Sequence, residues 1–229
     1  MSFSLSSQEK NINVLIIPFQ SYHFQSSFDL LDIAFVNKIP YANEVSNNYK
    51  ERLVQELSKG KMNYKLFEIP ANEYQSIQFL LDPIFIDKPT GHYGIDKEKL
   101  ARSSSFKNMI KSFEVDYVLF LTNYRIDSKL YTSSRSFDGS YALPWSRHLL
   151  DYELLDHNLN LVALSREFEL KSNLPTNDTY LTKGLLVSEM DKGYSSLIKD
   201  FHLKIEQYNS SQKPQFKAKK LKKKKSKKK

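Results

Sequence analysis

Imidazoles and carboxylates are the usual side chains for moving protons near neutral pH. The five histidines are His23, His92, His148, His157 and His202. No pair of them has the helical spacing, with an acid beside it, that binds zinc. His92 lies in "PTGHYG", where flanking glycines allow a close approach to a ligand, although a plain turn is the competing use. His157 falls in a predicted turn, and His202 lies off the apolar stripe of the last predicted helix. In open α/β sheets ligands gather beyond the carboxyl ends of strands. The apolar run ending in "TNYR" therefore adds Asn123 and Arg125 to His92 as a candidate ligand pocket. Pairing of Arg125 with Asp127 is the alternative. "LPWSRH" carries the only tryptophan, and Trp145, Arg147 and His148 form a candidate interface because exposed Trp and Arg anchor partners. "SRSFDGSY" offers serines and Asp138 without a histidine at a motif spacing. The chain has no nucleophile elbow, Walker loop or dinucleotide fingerprint. No catalytic residue, cofactor or metal is assigned, and enzyme activity is not expected.

The C-terminal "KPQFKAKKLKKKKSKKK" is the most pronounced charge feature. Eleven of the 34 basic residues are lysines in 213–229, so the rest of the chain sets 23 basic against 26 acidic side chains, a net of about −3. The pI near 9.3 therefore belongs to the tail. A block of like charge repels itself and suits an anionic surface. Lys217, Lys219, Lys220, Lys222, Lys223, Lys224, Lys225, Lys227, Lys228 and Lys229 are the candidate contacts. With Phe216 the only ring among them, base stacking has no platform, so any nucleic-acid binding would be sequence-blind. A merely solubilising tail or a cloning remnant is the competing use.

The remaining residues must supply the elements that position these groups. At 40% hydrophobic and 13% aromatic the body can build a sizeable core. The absence of cysteine removes disulfide, thiolate-metal and cysteine-nucleophile chemistry. No apolar run approaches the roughly 18–20 residues of a membrane span. "NVLIIPF" (13–19) reads as a strand covered on both faces. "FDLLDIAF" suggests a short helix, and an apolar stripe from Ala42 to Leu57 predicts another. "NYKLFEIP" reads as a second strand. Residues 71–103, broken by Pro83, Pro89, Gly91 and Gly94, read as a long loop region. Serines 103–105 cap a helix carrying Phe106, Met109, Ile110 and Phe113, which leads into a strand over 115–122. Residues 128–145 read as a loop or weak hairpin around Asp138-Gly139. A hairpin over 146–170 turns at 156–160, and a helix follows through about Tyr208. The fold class is α/β, a mixed sheet of about five strands in the order β-α-β-α-β-β-β-α with helices packed on it. The organisation is a disordered N-terminus at 1–11, one domain at 12–208 and a disordered tail at 209–229. The opening "MSFSLSSQEK" reads either as the last residues of a signal peptide or as a frayed end.

"VLIIPF", the helix "NEVSNNYKERLVQEL", the strand "YKLFEI" and the run "FEVDYVLFLTNYRI" together resemble a bacterial envelope α/β domain. It occurs in the amino-terminal part of the Tol-system translocation protein, in curli-type secretion channels and in peptidoglycan-synthase activator lipoproteins. The matching positions are Ile17-Pro18-Phe19 and Val115-Asp116-Tyr117-Val118-Leu119. Asn123 stands where that domain commonly has glycine, and the lipid-attachment cysteine is missing. The resemblance implies a non-catalytic binding or assembly module in the periplasm or envelope with a protein partner, and in that setting the lysine tail would meet membrane headgroups or an anionic polymer. The alternatives are a cytoplasmic nucleic-acid- or ribosome-associated protein tethered by the tail, and an enzyme using the 71–103 loops.

Overall fold

A computed structural model describes residues 12–59, 64–87, 92–133, 141–170 and 184–212. The lysine tail and the Asp138-Gly139 turn lie outside the described residues. The fold is mixed α/β. Its main sheet runs in the order β3 (Tyr64–Glu68), β1 (Ile12–Ile17), β6 (Tyr117–Ser133), β7 (Tyr141–Asp156), β8 (Leu161–Leu170). β1 is parallel to both β3 and β6, while β6, β7 and β8 are antiparallel. Past the end of β1, the short β2 (Phe24–Ser26) takes its place beside β6, pairing Phe24 with Tyr124.

Alternation along β1 explains its central place. Val14 and Ile16 enter one core and Leu15 and Ile17 the other, and all four are buried. On the first face lie α1 (Leu30–Asn37), α2 (Val45–Ser58) and α6 (Asp191–Gln212). On the second lie α3 (Ala71–Leu81), α4 (Lys97–Arg102) and α5 (Ser104–Ser112). The parallel crossovers thus cover opposite faces, α1–α2 between β1 and β3, and α3–α5 between β3 and β6.

Local chemistry sets the helix ends. Asp29 caps α1 by accepting from the Leu31 N–H at 2.8 Å, and Ser103 caps α5 by accepting from Phe106 at 3.2 Å. α5 stops where Glu114 turns left-handed (φ 50°), with the Val115 N–H donating to the Ile110 carbonyl at 3.0 Å.

Three expectations are corrected. The 71–103 region is not a long loop. It holds α3, the two-stranded β4 (Ile84–Asp87) and β5 (His92–Gly94), and α4. Ile77, Leu80 and Leu81 give α3 a buried side that the Pro and Gly punctuation obscured. The strand expected over 115–122 does not end there: β6 runs to Ser133, paired with β7 back to Tyr141, so Asn123 and Arg125 lie within it and most of 128–145 is ladder, as its hairpin reading has it. The last helix passes through Asn209 to Gln212, and the Tyr117 hydroxyl donates to the Asn209 side chain at 2.6 Å.

Candidate functional site

β4 and β5 cover the second face of the sheet near the carboxyl end of β1 and the middle of β6. Two bulges shape the ground beneath them. In β6 the register shifts between Leu121 and Asn123, and in β7–β8 between Leu150 and Tyr152. After the shift Asn123 stands opposite Asp151. Phe24 and Tyr124 stack on the first face with ring centroids 5.5 Å apart, so the neighbouring Asn123 points to the second.

Asp151 organises this region. It is 3% exposed, and its carboxylate accepts from the Glu167 N–H at 2.6 Å and meets His92 Nδ1 at 3.1 Å. Glu167 has φ 57°, a left-handed bulge residue held by that bond. Beside it Glu153 accepts from Arg166 at 2.9 Å and from the Ile95 N–H at 3.3 Å. Arg125 reaches Asp127 at 2.9 Å and Glu167 at 2.6 Å. Its Arg125 partner, more than any other influence, holds the Glu167 carboxyl below its usual range. Arg147 continues the ladder to Glu169 at 3.1 Å.

The structure therefore brings His92 onto a carboxylate that sequence reasoning missed, Asp151, with Asn123 its register partner, whereas Arg125 pairs with Asp127, the alternative use, and with Glu167. Asp151 and Glu153 sit in "LLDYELLD" like the wet face of a hairpin, yet both are buried. Only the bulge register, set by pairing between distant segments, reveals them. The arrangement is closed rather than a pocket, because its charges are consumed internally. Several atoms nearby still lack partners: Asn123 Oδ1, Thr122 Oγ1, Asp82 Oδ1 and both ring nitrogens of His23. Burial pulls the His23 ring below its ordinary pKa, opposed by Asp82.

Trp145, Arg147 and His148 do not form one surface. Alternation sends Arg147 into the second-face ladder and His148 to the opposite side. Trp145 is half-buried, on a stretch of β7 that among the described residues pairs only with β6. His148, expected at an interface, is instead a core residue, 0% exposed. Tyr124 shares its hydroxyl with His148 Nδ1 at 2.9 Å, and Nε2 lies 2.8 Å from the Gly184 carbonyl. The neutral tautomer that donates to Gly184 and accepts from Tyr124 fits both contacts. Burial, partly opposed by that carbonyl, lowers its pKa to about 4.

A second site lies at the other end of the sheet. A cleft of about 890 Å³ opens between α5 and the β7–β8 turn. Phe106, Ile110, Val115 and Leu159 line it on the apolar side, and Lys107, Lys111, Glu114 and His157 are among its polar lining. No group of acidic and histidine side chains able to hold a metal occurs among the described residues.

Comparison with known proteins adds little. No family model matches, and no curated protein matches. One similar solved structure is the hypothetical protein CT253 from Chlamydia trachomatis, at 12% identity and TM-score 0.40, covering 88% of this chain and 99% of that one. Another is a neuraminyllactose-binding hemagglutinin homolog from Helicobacter pylori, at 10% identity and TM-score 0.41, covering 89% and 92%. Likeness at this level carries no inference about what the chain binds.

Proposed function

We propose that the chain is a non-enzymatic binding or assembly module, held on an anionic surface by its lysine block. The carrying observation is the partition of charge: eleven lysines in the last 17 residues, against a slightly acidic remainder. Each lysine near an anionic membrane contributes roughly 1 kcal/mol, so even part of the block supports attachment that salt would weaken. The resemblance to the envelope domain supports a periplasmic or envelope setting and a protein partner. The closed polar cluster supports the non-enzymatic half of the reading. His92 and Asp151 have the contact of a base and its orienting acid, but the described residues place no hydroxyl nucleophile in hydrogen-bond contact with His92.

The test is co-sedimentation of the full chain with phosphatidylglycerol vesicles, phosphatidylcholine vesicles and single-stranded RNA. Lys222–Lys225 and Lys227–Lys229 are replaced by glutamine in a parallel sample. Binding to phosphatidylglycerol that salt and the substitutions abolish is expected. Stronger, sequence-blind attachment to RNA would instead favour a nucleic-acid accessory protein. Retention of vesicle binding by the substituted chain would sink the reading.

A further inference from the structure

The cleft at the amino ends of β1 and β6 is built on both sides. On one, α5 is fixed by its Ser103 cap and its left-handed stop at Glu114. On the other, Asp156 holds the β7–β8 turn, accepting from the N–H groups of Asn158 at 2.9 Å and Asn160 at 2.8 Å. The floor is stitched where the Asn13 N–H donates to Asp116 at 3.0 Å and the His157 N–H to the Asp116 carbonyl at 2.9 Å. The cavity is thus held by the fold itself. Its volume lies in the range of small-molecule sites, roughly 300–1,000 Å³.

Its chemistry is that of an amphiphile site. Ile110 and Val115 form an apolar floor over the fully buried Phe106, and half-buried Leu159 and exposed Ala101 add apolar walls. Lys107 and Lys111 stand one helical turn apart on α5, and neither ammonium has an acid within ion-pair reach among the described residues. Glu114 adds one carboxylate to the rim, whereas Asp116 is committed to Asn13. The same end carries the root of the lysine block. The Tyr208 hydroxyl donates to Asp156 at 2.8 Å, tying α6 to the turn that borders the cleft, and α6 ends four residues later at Gln212.

We infer that this cleft receives an acyl chain of an anionic membrane lipid, with Lys107 and Lys111 at its headgroup. The membrane source rests on the surface-binding reading of the tail. The cleft and the tail then meet one bilayer from one end of the molecule, the apolar floor supplying a second anchor to the electrostatic one.

Titration of the full chain with dodecyl phosphate below its micelle concentration tests the site, followed by calorimetry and by the α5 amide resonances. Saturable binding that shifts α5 is expected. Ala101→Trp, an exposed cleft-lining position, should weaken it at least about tenfold by filling the space. Lys107→Glu with Lys111→Glu should weaken it by about tenfold or more through charge alone. Neutral dodecyl maltoside should bind more weakly, and the glutamine-substituted tail should leave dodecyl phosphate binding unchanged. Thermal melts confirm that each variant is folded. Equal binding by Ala101→Trp, or an isotherm that vanishes with the tail lysines, overturns the site. Equal affinity for the maltoside overturns the anionic assignment. Cleft binding without attachment to phosphatidylglycerol vesicles overturns the membrane source and the tail reading together. Vesicle attachment with no dodecyl phosphate binding overturns the cleft alone.

Discussion

At the carboxyl end of β1 and the middle of β6, histidine, carboxylate and guanidinium groups crowd at and beneath β5 and are consumed by one another. At the amino ends, Lys107 and Lys111 flank an apolar cleft and meet no counter-ion among the described residues. The first region has the residue types of an active site and spends them on holding two β-bulges and a covering hairpin. The second has plain chemistry but accessible charge. Residue type alone thus misleads. What separates a structural polar cluster from a binding surface is whether the charges already have partners.

Breaking the Asp151 cluster should have the largest effect. Asp151→Ala removes the acceptor for the Glu167 N–H and the partner of His92 in a buried setting. Such losses cost on the order of 3 kcal/mol. Urea unfolding measures it, and a loss below about 1 kcal/mol would mean that the bulge holds itself and the cluster is not structural.

Acid should sharpen the contrast nearly as much. His148 titrates near pH 4 in the folded chain, below its ordinary 6.5. A depressed histidine is neutral in the fold and protonated when unfolded, so its contribution is complete above about pH 6.5. It is lost progressively as pH falls to about 4, and that shift corresponds to roughly 3 kcal/mol. His148→Gln should flatten stability over this window even if it lowers stability at pH 7. An unchanged slope would show that His148 is not the group titrating.

Much of this frame was legible in the chain. "VLIIPF" announced a strand covered twice because both of its faces are apolar, and Ser103 announced the start of α5. Asn123 and Arg125 were singled out as lying beyond a strand end at Thr122 and His92 as a loop residue, yet β6 runs on to Ser133, so their grouping owes nothing to a strand end. Asp151 was not legible, since a bulge shifts register without a local signature and Asp151 reads as a solvent-facing strand residue. His148 was misread for a related reason. Beside Trp145 and Arg147 in sequence, it faces the opposite way in a strand, where period two outweighs adjacency. The amino-end cleft had no sequence signal, because its walls come from α5 and a turn about 45 residues later.

The turn offers a smaller test. Burial opposes the Asp156 charge, yet hydrogen bonds from Asn160, Tyr208 and Asn158 hold its pKa below the ordinary value. Its contribution is therefore present above the usual carboxylate range and lost as pH falls through the lowered value. Asp156→Ala should cost about 1–2 kcal/mol at pH 7 and loosen the turn, seen as faster amide exchange at Asn158 and Asn160, whose N–H groups it holds. Unchanged exchange would mean that the backbone alone holds the turn, and the cleft wall would not depend on Asp156.

The smallest stability effect decides whether the two ends really differ. Lys107→Ala and Lys111→Ala remove side chains with no ion pair among the described residues, so each should change unfolding free energy by no more than about 0.5 kcal/mol. A cost comparable to that of Asp151→Ala would make the lysines structural, and the amino end would be a second self-consumed cluster. Near-neutral stability combined with weakened dodecyl phosphate binding would separate the roles: charge at one end holds the fold, and charge at the other is left for a ligand.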